Sequence, residues 1–371
     1  MIVELHILQS FAPSNLNRDD TGSPKSATFG GVQRARISSQ CLKRTTRLAL
    51  PDYGLTPAEV GVRTRQLANE AAALLESRDH DPASAKAVAA AALNELGLGV
   101  KDKTGESEYL LFVRSDAAAR LADICTQHWD TLLTKAGGKK VKGGKGGDIT
   151  ELRELVDASR AVDVALFGRM ISDNKGFNVE AASQVAHALS THTATAQYDY
   201  YTAVDDLLGA DKTGAGMIGT IEFNSACYYR YANLDLHQLT TNLDGDTDLA
   251  HRGTLAWAQA FIHAVPTGKQ NSMAAHNPPS LILAVTRPVG TWNLANAFAA
   301  PIAPPHVNGA PSIVQRSAEA LLAYYGKLTA AYGSDGHTAT LLTIDADVTA
   351  KDITTVQSVS ELITSIAGTL Q

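Results

Sequence analysis

The chain opens on an alternation. Val3, Leu5 and Ile7 are apolar, with Glu4 and His6 between them, and that period of two predicts a β-strand. Residues 56–96 are alanine-rich and helical in pattern. Pro82 divides them into two helices and Gly97 marks a stop. Further helices are predicted over 108–135 and 149–166. Strand character returns over 219–232, through Ile221, Phe223, Ala226, Tyr228 and Tyr229, and over 281–285 directly after Asn277-Pro278-Pro279. A last helical stretch covers 354–370. The order is strand, loop and helix, then a helical insertion, then strands and helices again. This is an α+β chain whose first strand finds its partners roughly 200 residues later. A ferredoxin-like sheet with an inserted helical domain satisfies it, and no internal repeat is visible.

Residues 37–47, Ile37-Ser38-Ser39-Gln40-Cys41-Leu42-Lys43-Arg44-Thr45-Thr46-Arg47, carry the strongest signal. On a helix Gln40, Lys43, Arg44 and Arg47 share one face, while Cys41, Leu42, Thr45, Leu48 and Ala49 pack inward. Ser38 or Ser39 is the N-cap, and the first-turn N–H groups point at whatever the basic stripe meets. Arg18, Lys25, Arg34 and Arg36 precede the helix. From Arg18 to Arg47 seven Lys or Arg face only Asp19 and Asp20, a local +5 in a chain of net charge -6. Gly22, Pro24 and the Gly30-Gly31 pair punctuate the same stretch. A basic run is often no more than a solvated helix face. Here the positive charge is concentrated within an acidic chain, and a glycine-rich basic loop feeds a capped helix, which fits phosphate cradling and nucleic-acid contact.

At 371 residues, 44% of them hydrophobic, the chain is long enough for about two domains. No apolar run approaches the roughly 20 residues that cross a membrane, and the first residues lack a signal-peptide pattern. Cys41, Cys125 and Cys227 are isolated, without the spacing of a zinc site or disulfide framework. A reduced, cytoplasmic setting is expected. Between two predicted helices lies Lys135-Ala-Gly-Gly-Lys-Lys-Val-Lys-Gly-Gly-Lys-Gly-Gly147, a cationic tract bearing Lys135, Lys139, Lys140, Lys142 and Lys145 with no acid.

Enzyme signatures are mostly missing. The glycine-lysine tract ends in Gly147-Asp148 and lacks the hydroxyl that would hold magnesium in a phosphate loop. Neither a Gly-x-Ser-x-Gly elbow nor a His-Glu-x-x-His helix occurs. His187 and His192, five apart, would not share a helix face and read as ordinary histidines. The acid pairs Asp19-Asp20 and Asp205-Asp206 could contribute to a divalent-metal site, but adjacent carboxylates diverge, and Asp19-Asp20 more simply caps turns in its own loop. No metal, cofactor or catalytic residue is expected. Six of the eleven tyrosines fall between Tyr198 and Tyr231. Those at 228–231 suit strand packing, whereas Tyr200 and Tyr201, followed by Val204, sit among polar neighbours and suit stacking on bases. Gly168-Arg169-Met170 starts a loop in which an exposed methionine could slide between bases. The turn holding Lys269 and Gln270 presents a cation.

Taken in order, Asn17-Arg18-Asp19-Asp20, Phe29-Gly30-Gly31, Arg36-Ile37-Ser38-Ser39-Gln40 and Leu42-Lys43-Arg44 closely resemble the opening of the CasC-type backbone subunit of the type I-E CRISPR Cascade. Gly168-Arg169-Met170, Ala186-His187-Ala188, Thr191-His192, Thr202-Ala203-Val204-Asp205-Asp206-Leu207, Glu222-Phe223, Tyr229-Arg230-Tyr231-Ala232-Asn233 and Lys269-Gln270 continue it. The likeness runs from the first strand to about residue 279 and is weak beyond.

The resemblance implies an RRM-like (ferredoxin-like) palm over 1–54 and 167–371, a β-hairpin thumb at about 193–220, and a helical fingers domain over 55–166. It implies a non-enzymatic subunit that binds crRNA and oligomerises head to tail along the guide spacer, presenting it to target DNA in antiviral defence. Its partners would be crRNA, target DNA, other copies of itself, and the large, small, guide-end-binding and crRNA-processing subunits. Arg18, Lys25, Ser38, Gln40, Lys43, Arg44 and Arg47 would grip guide phosphates, within a segment that also supplies Arg34, Arg36 and Ser39. Met170, with Gly168 and Arg169, would pack on bases. Tyr200, Tyr201 and Val204 would lie beside a displaced nucleotide, with Lys269 and Gln270 also on the RNA side. Lys135, Lys139, Lys140, Lys142 and Lys145 would approach DNA. Two rivals remain: a metal-dependent ribonuclease of the kind found in type III complexes, and an enzyme acting on a small phosphorylated ligand.

Overall fold

The computed structural model describes residues 1–137, 149–155, 161–170, 175–204, 215–304, 310–345, 347–350 and 352–370. They group into two compact units, one of 1–49, 184–235 and 257–371, the other of 50–183 and 236–256. The helical unit thus runs past the expected 55–166 and recruits a second segment.

The chain begins with β1 (Ile2–Ser14), the hairpin β2 (Ser26–Phe29) and β3 (Val32–Ile37), and α1 (Ser39–Ala49). The second unit follows with β4 (Gly61–Thr64), α2 (Leu67–Glu76), α3 (Pro82–Glu95), β5 (Leu111–Arg114), α4 (Ala117–Gln127), α5 (Trp129–Ala136), α6 (Thr150–Leu155) and α7 (Val162–Phe167). Next come β6 (Ser183–Val185), β7 (Ala188–Ser190), β8 (Gln197–Val204) and the long β9 (Ala215–Asp235). Helices α8 (Leu236–Asn242), α9 (Thr247–His263) and α10 (Gln270–Met273) lead to β10 (Leu281–Arg287), α11 (Ile313–Tyr332), β11 (Thr338–Thr343), β12 (Thr354–Val356) and α12 (Val359–Thr369). The architecture is mixed α+β.

The large sheet has the order β12-β11-β10-β1-β9-β7-β3-β2, with β6 and β8 also on β9. β1 is therefore central, pairing Leu5 with Ala284 on one side and Ala232 on the other. Strict alternation usually marks a strand with one wet face. Here Glu4 and His6 are as buried as Val3, Leu5 and Ile7, because a core of Leu8, Tyr229, Leu283, Phe298, Leu321 and Tyr325 covers the face they share. Their polar atoms are paired accordingly. Glu4 lies 2.7 Å from the Arg287 guanidinium and accepts from the Tyr231 hydroxyl and the Trp292 N–H, each at 2.6 Å. Burial raises its pKa against the pull of those partners. His6 Nδ1 meets the Tyr229 hydroxyl at 2.9 Å.

Burial, then the charge of Arg287, lowers the His6 pKa to about 3, so the folded imidazole is neutral where an unfolded histidine takes up a proton below about 6.5. Its contribution is complete above about pH 6.5 and is lost as pH falls toward the folded value, by up to about 1.4 kcal/mol per pH unit. Denaturant titrations between pH 7.5 and 4.5 should show this decline, and His6→Phe, which keeps a ring against Tyr229 and Tyr231, should make it shallower.

The second unit packs short helices through small residues. Leu67, Ala71 and Leu75 of α2 meet Val88, Ala92 and Leu93 of α3 and Leu121 of α4 in one core. Asp81 caps α3 by accepting from the Ser84 N–H at 2.9 Å, with Pro82 following. Two stretches expected to be helical instead form the β4–β5 ribbon, where Val62 faces Val113. The buried Asp163 carboxylate holds that ribbon by accepting from the Gly61 N–H at 2.6 Å. Among the described residues no helix is long and apolar enough to cross a membrane.

Candidate nucleic-acid interface

The approach to α1 is fixed by one tight turn. Phe29 pairs with Val32, so Gly30 and Gly31, with φ of +61° and +80°, form the two-residue loop of a β-hairpin. A side chain on Gly30 would lie 1.7 Å from the Ala299 carbonyl oxygen, whereas one on Gly31 would meet nothing within 4 Å. The glycine pair is therefore a hairpin turn pressed against the 299 segment.

At the α1 N-terminus the Ser38 hydroxyl accepts from the Cys41 N–H at 3.3 Å, and the Ser38 N–H donates to Asn17 Oδ1 at 2.8 Å. The Ser39 N–H donates to His187 Nδ1 at 2.9 Å. His187, an ordinary histidine by sequence, is thus a helix cap supplied from beside β7. Its pKa is lowered by burial and by the charges of Arg36 and Lys25, which places those two cations beside the cap. Only a tertiary contact reveals this role. Of the residues expected inward on α1, Leu42 is buried, Cys41, Thr45 and Ala49 are half-buried and Leu48 is 51% exposed, with Thr46 buried beside Leu42. Gln40 and Arg44 remain exposed, and Lys43 and Arg47 are half-buried.

The loop before β2 is built by its own side chains. Asp19 accepts from the Thr21 hydroxyl at 2.7 Å and from the Thr21 and Ser23 N–H groups at 3.0 Å. The Thr21 bond leads in lowering its pKa, and Arg18 is left exposed. Lys25 and Arg36 are tied by the Arg36 N–H, which donates to the Lys25 carbonyl at 2.8 Å. The turn at Gly268 abuts this loop, since a side chain there would lie 2.3 Å from the Leu16 carbonyl oxygen. Lys269 follows this turn and is half-buried.

Three expected contacts are corrected. Arg34 points inward, donating to the carbonyls of Phe29 at 3.2 Å, Ser190 at 3.0 Å and Phe298 at 2.8 Å. It is fully buried, its pKa lowered by burial, and it ties β3 to neighbouring segments rather than facing a strand of RNA. Arg169, in the second unit, plays the same part there, donating to the Phe177 and Phe112 carbonyls at 2.8 and 2.9 Å. Gln270 closes its own turn through the Pro266 and Ala275 carbonyls at 3.0 and 3.2 Å. In each case a backbone carbonyl shielded from water needed a donor.

Gly168, at φ +76°, ends α7 in space too tight for a side chain, and the pinned Arg169 throws Met170 outward, 84% exposed. Lys135 is paired with Glu95 at 2.5 Å. Lys139, Lys140, Lys142, Lys145, Asp205 and Asp206 lie outside the described residues. Among the described residues no three metal-ligating side chains converge.

Strand β8 pairs with β9 from Gln197↔Phe223 to Val204↔Ala215, a two-stranded ribbon that overlaps the 193–220 segment and runs past it to Phe223. Tyr200 is 63% exposed and Tyr201 40%. Tyr201 lies over Gly219, where a side chain would come within 2.4 Å of its ring.

A mixed sheet fused to a helical insertion, with a capped basic helix and an aromatic ribbon, has close counterparts. One chain from a structure described as "CRISPR RNA-guided surveillance complex, pre-nicking" is similar over 100% of both chains, with 31% identity and a TM-score of 0.87. Another, from a "CRISPR RNA-guided surveillance complex", is similar over 99% of each chain, with 27% identity and a TM-score of 0.76. The fold is that of chains found in CRISPR surveillance complexes. The chain belongs to the CT1975-like protein family, whose profile matches residues 3–365. Comparison with curated proteins gave no match.

Proposed function

We propose that this chain is the crRNA-binding backbone subunit of a type I-E Cascade complex, working in the cytoplasm. Copies oligomerise head to tail along the guide spacer and hold it for pairing with target DNA, alongside the other Cascade subunits. A contact that does not close into a ring generates a helical filament. The observation that carries the reading is α1: a helix capped by Ser38 and His187, with Lys43, Arg44 and Arg47 on its basic stripe, beside Lys25 and Arg36. Likeness to chains of surveillance complexes along the whole length supports it.

Phosphate contacts position a strand without reading it, so the guide can vary freely while base pairing supplies specificity. The subunit contributes charge and shape and performs no chemistry itself. Asp19, the carboxylate a ribonuclease reading would use, is occupied in shaping its own loop. Binding of single-stranded RNAs of unrelated sequence should therefore be equal within a few-fold and steeply salt-dependent. Strong preference for one sequence, or binding of mononucleotides in place of long RNA, would contradict the proposal.

A further inference from the structure

A cavity of about 740 Å³ opens between α11, the start of β11 and residues 347–353. Its size suits a small organic ligand. Leu322, Ala323 and Ala330 of α11 give it an apolar wall, together with Ala339 and Ile353. Glu319, Asp347 and Asp352 also line it, and none of these exposed carboxylates has an ion-pair or hydrogen-bond partner among the described residues. Among the described lining residues none is Lys or Arg.

Two orphaned polar groups border the same space. Tyr325 is 5% exposed and lines the cavity, yet its hydroxyl has no hydrogen-bond partner among the described residues. Buried tyrosine hydroxyls usually find one. His337 lines the cavity too, and its Nδ1 is buried without a partner. Burial, then the charge of Arg287, lowers the His337 pKa, which leaves a neutral ring with one acceptor nitrogen. Arg287 itself stacks on the Trp292 ring, its Cζ 4.0 Å from the centroid, and its charge is met by Glu4 at 2.7 Å. Carboxylates and a neutral imidazole nitrogen accept, and a phenol oxygen can accept, so the missing partner is a cationic donor. The three carboxylates do not converge as a metal site would, and the apolar wall suits a carbon stem.

We infer that this cavity is a binding site for an alkylamine, whose ammonium group donates to the lining carboxylates and to Tyr325 while its carbon stem lies along α11. Two sources supply that chemistry: a free diamine, and the lysine side chain of a partner protein. The site is independent of the strand-binding reading above.

The test is calorimetric titration of the full chain with the diamine cadaverine, and with pentanol as the same stem without charge. Cadaverine should bind and pentanol should not. Asp347→Asn and Tyr325→Phe should each weaken cadaverine about tenfold, the loss expected for one hydrogen bond to a charged group. Tyr325→Phe keeps the ring against Trp292, so the fold is retained. Asp199→Asn, an exposed acid on β8, should change nothing. Repeating the titration on the complex that co-purifies with the chain separates the two sources. Unchanged affinity there marks a free amine. Loss of binding there, with a carbodiimide cross-link from Asp347 to a partner lysine, marks a protein. Absence of cadaverine binding to the chain, equal binding of pentanol, or wild-type affinity in Asp347→Asn and Tyr325→Phe overturns the site.

Discussion

Replacing Lys43 and Arg44 together with alanine is expected to abolish assembly on guide RNA while leaving the fold intact. Arg44 is exposed and Lys43 half-buried, while Leu42 and Thr46 anchor the helix, and substitutions at positions outside the core usually change stability far less than core ones. Each single-strand phosphate that is no longer neutralised should make the salt slope shallower by about 0.7, so removing both cations takes about 1.4 from it per copy. A charge-assisted hydrogen bond contributes about 1.5–3 kcal/mol, and the deficit recurs with every copy along the strand. Anisotropy titrations at several salt concentrations measure the affinity and the slope together. Unchanged assembly with an unchanged slope would remove α1 from the binding surface.

The second large effect concerns stability. Gly30→Ala should destabilise the chain by about 3 kcal/mol or more. The new methyl would need the space of the Ala299 carbonyl oxygen, 1.7 Å away, at a φ of +61°. Gly31→Ala is its internal control. Its φ of +80° carries strain but no collision, and a cost of about 1 kcal/mol is expected. Paired urea titrations separate the two. Equal costs would mean that the hairpin does not press on the 299 segment.

How much of this molecule is legible in its sequence depends on how local each signal is. The basic face of α1 is readable because its period and its Ser38 cap lie within a few residues. Of the β8–β9 ribbon the residues themselves give only the strand over 219–232, and its hairpin form comes from the resemblance. Arg34 misleads because its charge is visible in the sequence while its acceptors are not: Ser190 and Phe298 lie 156 and 264 residues away. Gly30-Gly31 fits a phosphate loop and a hairpin turn equally well until Val32 is seen to pair with Phe29. Glu4 and His6 obey the strand period, but their burial depends on a core assembled from the far end of the chain, including α11. That helix escapes the sequence reading although Ser312 and Gln315 form its capping box. The family motifs add the guide-binding roles, which composition and spacing leave open between a strand of RNA and a small phosphorylated ligand.

The central claim is that many copies of this chain line one guide. Purifying the chain from cells that also express its neighbouring gene products and a CRISPR array, then sizing the RNA and counting subunits by native mass spectrometry, tests it most directly. A uniform RNA of guide length in a particle holding several copies of this chain is the predicted result. A nucleic-acid-free monomer from the same cells would contradict it.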